Sequence, residues 1–172
     1  MKGVNLEQKI WWEYLSPDLK DLLQESFLLL KQASEGGHVY PDYAFMVFPA
    51  AKAYEGFLKK LFLDQGFITS ADYYGKRFRI GKALNPSLEE KYRHESVYDK
   101  IVTYCGGRDV ADLLWDTWKG SRNTVFHWFP DLKSNVSLAE AIQKVLAVIQ
   151  AIDLASQYCK TLVNKETQKS IE

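Results

Sequence analysis

Apolar residues recur along this chain at steps of three and four rather than two, so the elements it predicts are helices. Leu19, Leu22, Leu23, Phe27, Leu30 and Ala33 form one stripe, started by Ser16-Pro17 and stopped by Gly36-Gly37. A second helix is predicted from Asp42 to Asp64, with Phe48, Ala51, Leu58, Leu61 and Phe62 inward and Gly66 just beyond its end. Pro49 removes one backbone donor, so it should kink this helix or mark where its regular part begins. Asn85-Pro86-Ser87 opens a third helical region, in which Ser87 and Glu90 are spaced as a capping box. Ser96 and Asp99 give a second start before Gly106-Gly107, so the region divides into two short helices.

Asp109 is a suitable N-cap for a helix whose core stripe is Val110, Leu113, Leu114, Thr117, Ser121, Val125 and Trp128, ended by Pro130. Ser137 with Glu140 makes another capping box, followed by a long helix carrying Leu138, Ile142, Val145, Ile149 and Ile152, flanked by Val148 and Leu162. Beyond Asn164 the tail is polar and is expected to fray. Asn5 to Leu15 suits one short helix laid over the rest. Two-residue alternation is confined to a short stretch, Arg77 to Ile80, which could be extended. The expected fold is therefore all-α: an up-and-down bundle of four to five main helices with a short N-terminal helix.

Composition changes this picture little. The 172 residues are 47% hydrophobic and 26% charged, which suits one domain spanning 1–172 that buries a full core without staples. Lys plus Arg and Asp plus Glu both number 22, so a polyanion would have to be met by a local patch. Cys105 and Cys159 form no CxxC pair and read as buried thiols in a reducing compartment. The first residues lack the apolar core of a signal peptide, and no apolar run reaches membrane-spanning length. A cytoplasmic protein with no membrane partner is expected.

The chemistry concentrates at Arg122-Asn123-Thr124-Val125-Phe126-His127. Arg is always charged and its planar fork matches phosphate oxygens, while His moves protons near neutral pH. Asn123 and His127 are four apart, so on an α-helix they share a face and the amide can orient the ring. Arg122 and His127 would lie roughly 140° apart around the axis and about 7.5 Å along it, a poor pocket within one chain. All three fall outside the core stripe. They could equally form a solvated face with His127 covering the helix end.

Glu55 stands out because its neighbours at helical spacing are apolar, and a carboxylate at such an edge needs a partner. That partner is either Arg122 or His127, or else Lys52 or Lys59 on the same helix. From Tyr73 to Lys82 runs the one basic stretch interleaved with aromatics, in which Lys76, Arg77, Arg79 and Lys82 could track phosphates while rings stack on bases. A solvated connector whose rings plug the core is the plainer account. His38 and His94 have no second ligand nearby, and HExxH, paired CxxC, glycine-rich phosphate loops and GxSxG are all missing, so no metal or cofactor is expected.

An all-helical chain with Arg, a polar residue, three further residues and His resembles the HEPN superfamily of ribonucleases of toxin–antitoxin and phage-defence systems. Ala53 to Phe62 together with Ser121 to Trp128 is similar to the HEPN module of the RNase LS (RnlA) toxin family. The likeness covers roughly residues 40 to 165, and its specific part is the RNxxxH motif. It implies a metal-independent endoribonuclease with catalysis by Arg122 and His127, an orienting role for Asn123 and a further role for Glu55. It also implies an RNA substrate, a homodimer sharing the active site, and a cognate antitoxin protein. Trp118, Phe126 and Trp128, expected to be exposed beside the motif, are candidate anchors of that dimer. HEPN domains also serve as non-catalytic modules that bind a protein or nucleic acid, so the resemblance leaves both roles open. The chain lacks the extra N-terminal domains of that toxin family.

Overall fold

The computed structural model describes residues 4–127 and 135–158, and every regular element among them is helical. The main helices are α1 (Pro17–Glu35), α2 (Ala44–Asp64), α5 (Val97–Cys105), α6 (Asp109–Trp118) and α8 (Leu138–Tyr158). Shorter pieces are α3 (Ser70–Tyr74), α4 (Ile80–Ala83), α7 (Thr124–Phe126) and 3-10 turns at Trp12–Tyr14 and Glu90–Glu95. α2 is the hub, lying against both α1 and α8, while α6 packs between α8 and α5. One apolar cluster joins Leu23, Leu30, Phe57, Phe62, Leu114, Val145 and Ile152 across these helices. Among the described residues no helix is long and apolar enough to cross a membrane.

Several local signals act as the sequence implies. Pro17 opens α1, and Gly36 follows its last residue. Ser96 accepts from the Asp99 amide at the head of α5, Gly106 ends that helix with φ 69°, and Ser137 and Glu140 cap α8 reciprocally. Others are corrected. Between Asn5 and Leu15 only Trp12–Tyr14 is helical, although Trp11 is wholly buried and its indole donates to Asp153 on α8. Arg77 to Arg79 form a loop between α3 and α4, and Ile80 opens α4; α3 itself is started by a Thr69–Asp72 capping box. Ser87 and Glu90 form no box, because the chain there enters a 3-10 turn after Glu89. Arg108 rather than Asp109 precedes α6, and Cys105 is half-buried rather than buried. Trp128, Pro130, Cys159, Leu162 and the polar tail lie outside the described residues.

Two helices are interrupted, and both interruptions matter. Within α2, Pro49 carries no N–H and its ring crowds the preceding turn. The Ser26 hydroxyl of α1 enters this break, donating to the Met46 carbonyl at 2.8 Å and accepting from the Ala50 amide at 2.9 Å. A regular helix would join that carbonyl and amide directly. Phe45 and Phe48 before the break and Lys52 after it face outward, and Glu55 and Lys59 sit half-buried on the same face, at steps of three and four. Phe48 is 51% exposed, contrary to its expected inward place. The second interruption lies at the candidate site.

Candidate functional site

The helix expected to run unbroken from Asp109 past Val125 is α-helical only to Trp118, then π-helical over Lys119–Asn123, then α-helical again for one short piece. Gly120 weakens regular helix here, having no side chain and low helix propensity. A π turn bonds five residues apart and so displaces carbonyls from their usual partners. Two side chains hold them: Ser121 Oγ donates to the Thr117 carbonyl at 2.6 Å, and Lys144 Nζ reaches from α8 to the Gly120 carbonyl at 2.7 Å. The core stripe survives, with Val110, Leu114, Thr117, Ser121 and Val125 buried and Leu113 half-buried. Helix ends at Phe126. His127 is already extended, with φ −114° and ψ 130°.

This geometry changes how the motif residues meet. Arg122, Asn123 and His127 line a single cavity of about 390 Å³, together with Phe48, Lys52 and Glu55 from the outward face of α2. The regular-helix relation of Arg122 to His127 does not apply, because His127 has left the helix, and both line the same cavity. For the same reason Asn123 does not orient the ring as spacing suggested; its side chain makes no hydrogen bond and faces the cavity with His127. Arg122 Nη2 lies 3.4 Å from Glu55 Oε2, and its guanidinium sits 4.8 Å from the centre of the Trp118 ring. Glu55 Oε1 is also 3.9 Å from Lys59 Nζ. Both partners considered for Glu55 are thus present, one on its own helix and one across the cavity.

The pair is held from below and left open above. Tyr54, the residue before Glu55, is fully buried and donates to the Leu114 carbonyl at 3.1 Å, tying α2 to α6 beneath the cavity. Burial pushes its hydroxyl well above the ordinary tyrosine value, so it stays a neutral donor. Trp118 is only 3% exposed, which corrects the expectation of an exposed aromatic; a Cβ on Gly81 of α4 would come within 3.1 Å of its indole nitrogen. Above, the Arg122 side chain keeps 46% of its surface and Glu55 29%. Phe126, 38% exposed, meets Phe48 edge-to-face at 5.1 Å and forms the apolar rim.

The basic stretch divides. Lys76 and Arg79 line a second cavity of about 420 Å³ that adjoins the first at Glu55, Arg122 and Asn123. Arg77 and Lys82 instead face a third cavity, to which Arg79 also contributes. Lys52, read from the sequence only as a possible partner of Glu55, lines the groove, and sequence reasoning missed Lys144, which supports the π turn. Lys144 had no sequence signal, since its role depends on a distant helix. Among the described residues no three His, Cys, Asp or Glu side chains gather into a cluster that could hold a metal ion. No family model, curated protein or solved structure matches this chain.

Proposed function

We propose that this chain is a metal-independent endoribonuclease of HEPN type, acting in a toxin–antitoxin or phage-defence setting, with Arg122 and His127 as its catalytic residues. The observation that carries the reading is their convergence, with Asn123 and Glu55, on one solvent-open groove adjoining the cavity lined by Lys76 and Arg79. An RNA strand supplies its own nucleophile. Its 2′-oxygen attacks the adjacent phosphorus, the bond to the 5′-oxygen of the next nucleotide breaks, and a 2′,3′-cyclic phosphate and a 5′-hydroxyl end result. His127 moves the proton, and Arg122 stabilises the charge that builds on the phosphate oxygens. Asn123 offers the same phosphate a neutral donor. Glu55 is a positioning residue: with Trp118 it fixes the Arg122 guanidinium, and Lys52, Lys76 and Arg79 draw the backbone into the groove.

The homodimer belongs to this proposal through the resemblance, and the exposed Phe48–Phe126 pair at the groove rim is a suitable edge for a second copy. Light scattering that finds an active monomer at assay concentration removes it. A second reading is a non-catalytic helical module whose partner is a cognate antitoxin or another protein. It is favoured by one observation: Arg122 is already neutralised by Glu55 and stacked on Trp118, as a purely structural arginine would be. Incubating the purified protein with total RNA in EDTA, beside His127→Ala, separates the readings. Cleavage by the parent alone supports the nuclease; intact RNA in both tubes supports the module.

A further inference from the structure

The third cavity, about 620 Å³ in volume, lies between the turn at 66–69, the loop at 75–79 and the head of α5. Cations enter it from three separate segments: Arg77 and Arg79 from the loop, Lys82 from α4 and Lys100 from α5. Two carboxylates also face it, and both are occupied. Asp72 accepts from the Thr69 amide and hydroxyl, contacts that hold its carboxyl below the usual range. Glu95 accepts from Lys82 Nζ at 2.6 Å and is lowered chiefly by that bond. Among the described residues Arg77 has no hydrogen-bond or ion-pair partner, Arg79 donates to the Lys76 and Phe78 carbonyls, and Lys100 donates to the Phe67 carbonyl. Four cations against two carboxylates leave two positive charges before His94 is counted.

A surplus of two matches a phosphomonoester, which carries about −1.5 to −2 at neutral pH, better than an internal phosphodiester with a single charge. Phe67, Ile68 and Phe78 supply an apolar wall beside these cations, suited to the flat face of a base. The volume falls within the roughly 300–1,000 Å³ of small-molecule sites. We propose that this cavity binds the terminal phosphate of a nucleoside monophosphate unit, either free or as the phosphorylated end of an RNA strand. Arg77 and Lys100 grip the phosphate while Phe78 packs on the base. The cavity meets the second one at Phe78 and Arg79, but Arg77, Lys82 and Lys100 do not line the Arg122 groove, and the site holds its ligand whether or not the protein cuts RNA.

Calorimetric titration with AMP, adenosine and a short 2′-O-methyl RNA carrying a 5′-phosphate or a 5′-hydroxyl tests this without any cleavage. AMP or the 5′-phosphorylated strand should bind at least about tenfold more tightly than its phosphate-free counterpart, as charge-assisted bonds require. Tight AMP assigns the site to a free nucleotide, and a preference confined to the strand assigns it to an RNA end. Arg77→Ala combined with Lys100→Ala should erase the phosphate preference; should that pair fail to fold, Arg77→Gln alone must weaken it, since this exposed side chain has no partner to lose. Arg122→Ala should leave AMP affinity within about twofold. The proposal is overturned if neither ligand prefers phosphate, if the Arg77 variants bind like the parent, or if Arg122→Ala weakens AMP as much as they do.

Discussion

Both long helices at the groove are broken, but the breaks end differently. At Pro49 the Met46 carbonyl and the Ala50 amide are joined inside the core through Ser26. At Lys119–Asn123 the break is tied down on its inner side by Ser121 and Lys144, while its outer side presents Arg122 and Asn123 to a cavity. A helix defect whose polar groups are all satisfied internally is architecture. One that is satisfied on the inside and displays a cation on the outside is where chemistry can be placed, as π turns often are.

The comparison predicts a split between activity and stability. Arg122→Ala and His127→Ala should each cut RNA cleavage by about 10²-fold or more, the usual cost of losing a charge-stabilising or proton-transferring group. Melting should shift little, by about 0.5–1 kcal/mol at most for Arg122, whose pair with Glu55 is partly exposed. Both variants melting far lower while retaining activity per folded molecule would turn the second break into architecture as well.

Ser26→Ala should behave in the opposite way. It strands the Met46 carbonyl and the Ala50 amide in the core, at a cost of about 1–3 kcal/mol. Urea unfolding should show this loss, with cleavage per folded molecule nearly unchanged. A stability equal to that of the parent would mean that α2 closes on itself without the hydroxyl.

What the sequence made legible follows from how local each signal is. The stripes of α1 and α8 and the caps at Ser96 and Ser137 were readable because their partners lie within one or two turns. Phe48 lies at the edge of the α2 stripe, and spacing does not say that its ring meets Phe126 at the surface instead of the core. One π turn leaves no periodic trace, so Asn123 and His127 were set on a common face that does not exist, although both do reach the same cavity. Glu55 was legible as a charge among apolar neighbours, a contrast that holds whatever its partner. The Lys76 to Lys82 stretch read as one basic patch because spacing does not say which way a loop turns its side chains, and the fold sends them into different cavities.

Lys144→Met sharpens the contrast by attacking the second break from behind. The substitution keeps the stem of the side chain but removes the bond to the Gly120 carbonyl, worth about 1 kcal/mol. If that bond holds the π turn, the segment relaxes toward regular helix and Arg122 moves off Glu55. Cleavage should then fall further than the small drop in melting temperature explains. A matching loss of both, with activity per folded molecule preserved, would show that the π turn stands without α8.

The smallest expected effect belongs to Glu55→Gln. The carboxylate does not touch the substrate in the proposed reaction; it steers Arg122, which is also braced by Trp118, so one support remains when it is neutralised. A pair this exposed contributes roughly 0.2–1 kcal/mol, or up to about fivefold in rate. Because the steering matters most when charge builds on the phosphate, the loss should fall on kcat and leave KM close to the parent value. If Glu55 instead acted only through simple attraction, removing its charge would strengthen RNA binding and lower KM. A variant whose only change is a lower KM would therefore make Glu55 an electrostatic brake on binding. It would leave Arg122 positioned by Trp118 and the π turn alone.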